Sequence, residues 1–135
     1  MKNIHILPTE KPSRLYLHSE NELQLRTNII RTSEDYLGSN QHIYITSDEE
    51  IKYDDYYLGE DNNIYCLVTT VNYNGKKIIL TTDQDLIKDG VQAIDYEFLE
   101  WFVKNPSCEK VEVAENTLKV DLLEYKTNYK IILYE

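Results

Sequence analysis

Glycine, cysteine and long apolar runs are all scarce here, and each scarcity excludes a class of protein. With four glycines in 135 residues, there is no room for a glycine-rich phosphate loop, and no GxSxG nucleophile elbow occurs. Cys66 and Cys108 are isolated thiols without a CxxC partner, so reduced structural cysteines are expected instead of a disulfide framework. No apolar stretch approaches the roughly 18–20 residues that span a bilayer. Met1–Pro8 lacks the long apolar core of a cleaved leader, and the expected location is the cytoplasm. Positive charge is also scarce: 14 Lys and Arg face 24 Asp and Glu, for a net charge of −10. A phosphate backbone would be repelled, which argues against direct nucleic-acid binding and leaves basic proteins as favoured partners.

Twelve tyrosines stand against two phenylalanines and one tryptophan. Tyrosine favours strands and binding surfaces alike. The length fits one domain, 1–135, able to bury about two-thirds of its unfolded surface without a disulfide or metal.

Period-two alternation in 14–18 and 22–26 predicts a hairpin with one buried face. Residues 3–7 read as a strand stopped by Pro8, 28–41 as a loop, and 42–46 as a further strand. Ser47 before Asp48-Glu49-Glu50 resembles the cap of one helical turn, after which Tyr53–Leu58 resumes an extended path. Asn74-Gly75 predicts a tight hairpin joining 64–71 to 76–82. Thr82 through Gly90 reads as a short capped helix. Ile94 to Lys104 gives the strongest helix: Asp95 caps it, Phe98, Leu99, Phe102 and Val103 form its apolar stripe, and Asn105-Pro106 stops it. Burying that stripe contributes on the order of 6–12 kcal/mol before entropy costs. The tail predicts 110–113 paired with 118–125 across a turn at 114–117, then a strand at 129–134. The expected class is α+β: a strongly bent antiparallel sheet or small β-barrel with one main helix (94–104) packed on it.

The richest local chemistry lies in Ser47–Asp61, with seven carboxylates and three tyrosines in fifteen residues offset by one lysine. Carboxylates can mimic phosphate spacing while tyrosine rings add contact area. Asp48, Glu49, Glu50, Tyr53, Asp54, Asp55, Tyr56, Tyr57, Glu60 and Asp61 are therefore the candidate binding residues, with a basic protein or nucleoprotein complex as partner.

Catalysis and metal binding find no comparable support. Asp83-x-Asp85-x-x-x-Asp89 starts like a calcium loop, but Ile87, Lys88 and Ile94 occupy positions that need a ligand, a glycine and a bidentate acid. His5, His18 and His42 have no zinc spacing. Glu97 and Glu100 fit the exposed side of an amphipathic helix. No enzyme activity, metal or cofactor is expected.

Three stretches carry a resemblance: Lys2–Tyr16 (KNIHILPTEKPSRLY), Ile43–Lys52 (IYITSDEEIK) and Lys77–Val113, which includes DGVQAIDYEFLEWFVKNPSC. The chain resembles small uncharacterised proteins of Bacteroidetes genomes and their phages, over roughly half its length. Where those proteins carry Gly-Asp-Trp, this chain has Asp54-Asp55-Tyr56. The resemblance implies a phage or mobile-element accessory protein that binds host machinery, as anti-CRISPR inhibitors do. The alternative expectation is an assembly module that self-associates through a strand edge or its tyrosine-rich face.

Overall fold

The computed structural model describes residues 3–11, 13–17, 23–25, 40–68, 74–105, 108, 110–119 and 125–132. In chain order the elements are β1 (Ile4–Thr9), β2 (Leu15–Leu17), β3 (Leu23–Leu25), β4 (Asn40–Ser47), β5 (Tyr56–Gly59), β6 (Ile64–Cys66) and β7 (Gly75–Thr81). Then come α1 (Gln84–Lys88), β8 (Gln92–Ala93), α2 (Tyr96–Lys104), β9 (Glu112–Lys119) and β10 (Tyr125–Ile132). Eight strands form one bent, open, mostly antiparallel sheet in the order β3-β2-β4-β7-β5-β6, with β1 on β4 and β8 on β7; β9 and β10 make a two-stranded sheet. The class is α+β.

β4 is the organising strand. Every residue from Asn40 to Thr46 is buried, because both faces are covered. Strand alternation sends Ile43 and Ile45 into a large apolar cluster with Ile4, Leu15, Leu80, Phe98 and Phe102, and turns Tyr44 toward a smaller one with Leu58, Ile78 and Leu86. The register between β4 and β7 slips after Ile45↔Leu80 to Thr46↔Ile78, leaving Ile79 as the extra residue. That bulge lets Ile79 and Leu80, adjacent in sequence, join the same cluster.

α2 meets its expectation closely. The Asp95 side chain accepts from Phe98 N at 2.8 Å. Phe98, Leu99 and Phe102 are buried, with Trp101 and Val103 half-buried beside them. α1 ends as Gly90 allows: at φ 110° it lets its own N–H reach the Ile87 carbonyl and the Val91 N–H reach the Leu86 carbonyl, both at 3.0 Å. The cap at its start is Asp83 and not Thr82. The β2–β3 hairpin also forms, with Leu15↔Leu25 and Leu17↔Leu23, while its turn lies outside the described residues. Cys66 and Cys108 are unbridged.

Other expectations are corrected. β6 does not pair with β7; β5 lies between them, bonded to both. Gly75 therefore serves strand contact, not a turn: a Cβ there would stand 2.5 Å from the Leu58 carbonyl oxygen and 2.6 Å from the Tyr57 ring. Residues 69–73 of the expected hairpin lie outside the described residues. No helical turn forms at 48–51, and β5 starts only at Tyr56. Residues 114–117 are not a turn but the middle of β9, which pairs along its whole length with β10. β1 runs through Pro8 to Thr9, since Pro8 sits on a strand with a neighbour on one side, where its missing N–H costs nothing. Asn40 and Gln41, expected in a loop, begin β4; 28–39 lie outside the described residues.

Candidate binding groove

The acidic segment leaves β4 at Ser47. Its hydroxyl accepts from Glu49 N at 3.3 Å and donates to the Glu49 carboxylate at 3.0 Å, folding that side chain back. The Tyr129 hydroxyl of β10 reaches the same carboxylate at 2.7 Å. Nearby, Asn3 donates to the Val111 carbonyl at 2.7 Å and accepts from Val111 N at 3.0 Å. These bonds seat the β9–β10 sheet against the larger one and leave a cavity of about 470 Å³ between them. Asp48, Glu49 and Glu112 rim it with Lys76 and Lys110, above Ile79, Val111 and Val113.

The chain then turns at Tyr53-Asp54. Asp54 adopts φ 71°, a left-handed conformation that a short polar side chain tolerates. Lys52 N donates to the Asp55 carboxylate at 2.7 Å, and Asp55 N returns a bond to the Lys52 carbonyl at 2.9 Å. Asp54 and Asp55 are thereby placed on a second cavity, about 240 Å³, with Tyr56, Lys77 and Asp89. Tyr129 and Ile79 line both cavities, so the two are adjoining lobes on either side of one tyrosine. Six carboxylates and three lysines surround them.

Part of the charge is already paired. Asp48 meets Lys76 at 2.8 Å and Asp55 meets Lys77 at 3.5 Å. The Lys76 hydrogen bond holds the Asp48 carboxyl below its ordinary range. Tyr56 donates to Asp89 at 2.5 Å, which pushes the phenol up to about 12.

The ten sequence-derived candidates thus divide. Asp48, Glu49, Asp54, Asp55 and Tyr56 line the groove. Tyr57, Glu60 and Asp61 belong to the β5–β6 hairpin and its turn, where Tyr57 stacks on Tyr65 at 5.5 Å and Tyr65 bonds Asp61. Glu50 and Tyr53 are exposed and line neither cavity, Tyr53 at 68%. Tyr129, Glu112, Lys110 and Asp89 complete the groove from distant parts of the chain. The expected strands at 110–113 and 129–134 contain Lys110, Glu112 and Tyr129, but nothing in their spacing joined them to the acidic segment.

A separate polar cluster gathers around Tyr44 of β4. Asp83, fully buried, accepts from Tyr44 Oη at 2.6 Å, from Lys11 Nζ at 3.1 Å and from Asp85 N at 3.0 Å. Burial works to raise its carboxyl, but the Tyr44 and Lys11 bonds outweigh that and hold it below the usual value. Burial, reinforced by Asp83, raises the Tyr44 phenol. His42 lies beside them with its Nδ1 3.0 Å from Thr82 Oγ1, and burial lowers its pKa. Among the described residues no cluster of three or more His, Cys, Asp or Glu side chains could share a metal. Nor is any helix there long and apolar enough to cross a membrane.

No protein-family model, curated protein or solved structure matches this chain.

Proposed function

We propose that this chain is a non-enzymatic binding protein of phage or mobile-element origin, and that its groove around Tyr129 takes a basic segment of a cytoplasmic host protein or nucleoprotein complex. Inhibition of a nucleic-acid-handling complex, in the manner of anti-CRISPR proteins, is the activity this predicts. The observation that carries the reading is the excess of carboxylates over lysines around two adjoining cavities, the larger of them floored by Ile79, Val111 and Val113. Lysine and arginine side chains suit such a lining, because their charged heads meet the acidic rim while their stems cover Ile79, Val111 and Val91. Tyr129 and Tyr56 supply rings of the kind that cations favour.

Binding to a short Lys/Arg-rich peptide tests this directly. Affinity should fall steeply with added salt and drop at least tenfold when Asp54 and Asp55 are both changed to Lys, mainly through slower association. Unchanged affinity in that variant sinks the groove. Capture from host lysate at low and high salt then supplies the partner.

Self-association is the second reading. Tyr65 and Val68 on and after β6, and Tyr53 beside them, are exposed at 41%, 61% and 68%. The net charge of −10 opposes contact between identical copies. A salt-independent symmetric oligomer in sedimentation would favour this reading over the first.

A further inference from the structure

β6 is an outer edge of the large sheet: among the described residues its only partner strand is β5. Bonded and non-bonded pairs alternate along an antiparallel ladder. Gly59 N donates to the Asn63 carbonyl at 2.9 Å, and Leu67 N donates to the Asp55 carbonyl at 2.9 Å. With Tyr57↔Tyr65 in register between them, Asn63, Tyr65 and Leu67 turn their backbone groups toward β5. Ile64 and Cys66 therefore turn theirs outward, where no described strand meets them.

Sheet edges are ordinarily blunted by charge, by proline or by a covering element. The opposite edge strand, β3, follows that rule, being set between Glu22 and Arg26. β6 does not. From Asn62 to Gly75 the sequence holds no charged residue and no proline, the longest such run in the chain. Tyr65, stacked on Tyr57 at 5.5 Å, carries an exposed tyrosine face out to this edge. The two ends of the strand are acidic instead. Glu60 and Asp61 precede it in the β5–β6 turn, and beyond its far end Asp54 N bonds the Leu67 carbonyl at 2.8 Å. The negative field reaches the strand itself: burial first, then Asp54, Asp89 and Asp55, raise the Cys66 thiol.

We propose that β6 docks an extended segment of a partner as an added strand, one with an uncharged β-branched or aromatic core and Lys or Arg at both ends. Main-chain bonds to Ile64 and Cys66 hold the core. The terminal cations meet Glu60 and Asp61 at one end, Asp54 and Asp55 at the other. A second copy of β6 fits poorly. A two-fold pair of identical strands is antiparallel, so Glu60 and Asp61 of each copy would lie beside Asp54 and Asp55 of the other, opposing like charges at both ends. The inference rests on the proposed function in one respect, a basic partner, while the edge contact itself is separate from the groove.

The probe is the strand-forming peptide KKVTVTVKK, with the short Lys/Arg-rich peptide that tests the groove as its control. Amide hydrogen exchange of the unmodified protein reads the edge directly. At millimolar strand peptide the Ile64 and Cys66 amides should slow at least tenfold, while Tyr65, already bonded to Tyr57, changes little. N-methylation at one alternate set of core residues in the peptide should weaken binding at least tenfold, and at the other set less than threefold. Cys66→Pro should weaken the strand peptide about as much with little change in melting temperature, because that N–H faces outward. The control peptide should leave Ile64 and Cys66 exchanging as before. The proposal is overturned if millimolar strand peptide leaves both amides unchanged, if the two N-methyl sets weaken binding equally, or if the protein alone sediments as a dimer with both amides already slow. Binding of the control peptide that depends on Asp54 and Asp55, without edge protection by the strand peptide, overturns this inference and leaves the proposed groove standing. Edge protection with control-peptide affinity unchanged in Asp54→Lys/Asp55→Lys does the reverse.

Discussion

Tyr129 and Glu49 are eighty residues apart in sequence, yet the tyrosine hydroxyl donates to the glutamate at 2.7 Å. This contact ties β10 to the end of β4 and makes one aromatic ring a wall of both acidic cavities. The groove exists because two sheets meet there, and Tyr129 is where they are pinned.

Tyr129→Phe keeps the ring and removes that pin. The bond is exposed, so the loss of global stability should be modest, about 0.5–1.5 kcal/mol by denaturant unfolding. Hydrogen exchange should rise more in β9 and β10 than in β4. Equal acceleration across both sheets would show that the contact does not act locally.

The division of the acidic residues allows a sharper test. Glu60 and Asp61 lie at the far turn of β5–β6, outside both cavities, and carry the same formal charge as Asp54 and Asp55. Reversing Glu60 and Asp61 to Lys makes the same change in net charge as reversing Asp54 and Asp55. If the groove is the binding site, the hairpin-tip variant should lose no more than about threefold in affinity for a basic peptide, through long-range screening-sensitive attraction. Equal losses in both variants would mean that net charge governs binding and the groove does not.

Gly75 shows what kind of structure the sequence leaves legible. Asn74-Gly75 reads locally as a hairpin turn, but the glycine lies in β7, under the Tyr57 ring, because β5 crosses between β6 and β7. Elements whose signals are local are legible: the Asp95 cap and apolar stripe of α2, the alternation in β2 and β3, the Gly90 stop of α1. Strand order, the Ile79 bulge and the Tyr129 contact depend on partners far away in sequence, so alternation alone cannot rank them. The same holds for the sites. Asp54 and Asp55 stood out as charge, whereas the open edge of β6 follows from β5 lying between β6 and β7, which no local signal shows. Gly75→Ala should therefore cost about 1–3 kcal/mol, as an overpacked contact does. A neutral result in thermal unfolding would show that β5 yields at Leu58.

Acid should unfold the protein in two stages, because His42 and Asp83 both have lowered folded values. For His42, burial disfavours the imidazolium, so a proton binds the unfolded ring, near its ordinary 6.5, more readily than the folded one. The stability from keeping it neutral is complete above about pH 6.5 and is lost as pH falls through the folded value. For Asp83, the Tyr44 and Lys11 bonds favour the carboxylate, so its contribution is complete above about pH 4 and is lost below that. The melting temperature should thus begin to fall near pH 6.5 and drop again below pH 4. In His42→Asn the first decline should vanish while the second remains; in Asp83→Asn the second should shrink, with Asp48 still contributing, from a lower starting stability because the amide keeps only one of the two oxygens that accept from Tyr44 and Asp85 N. A flat melting temperature from pH 7.5 to 4.5 in the parent protein would contradict a neutral, buried His42.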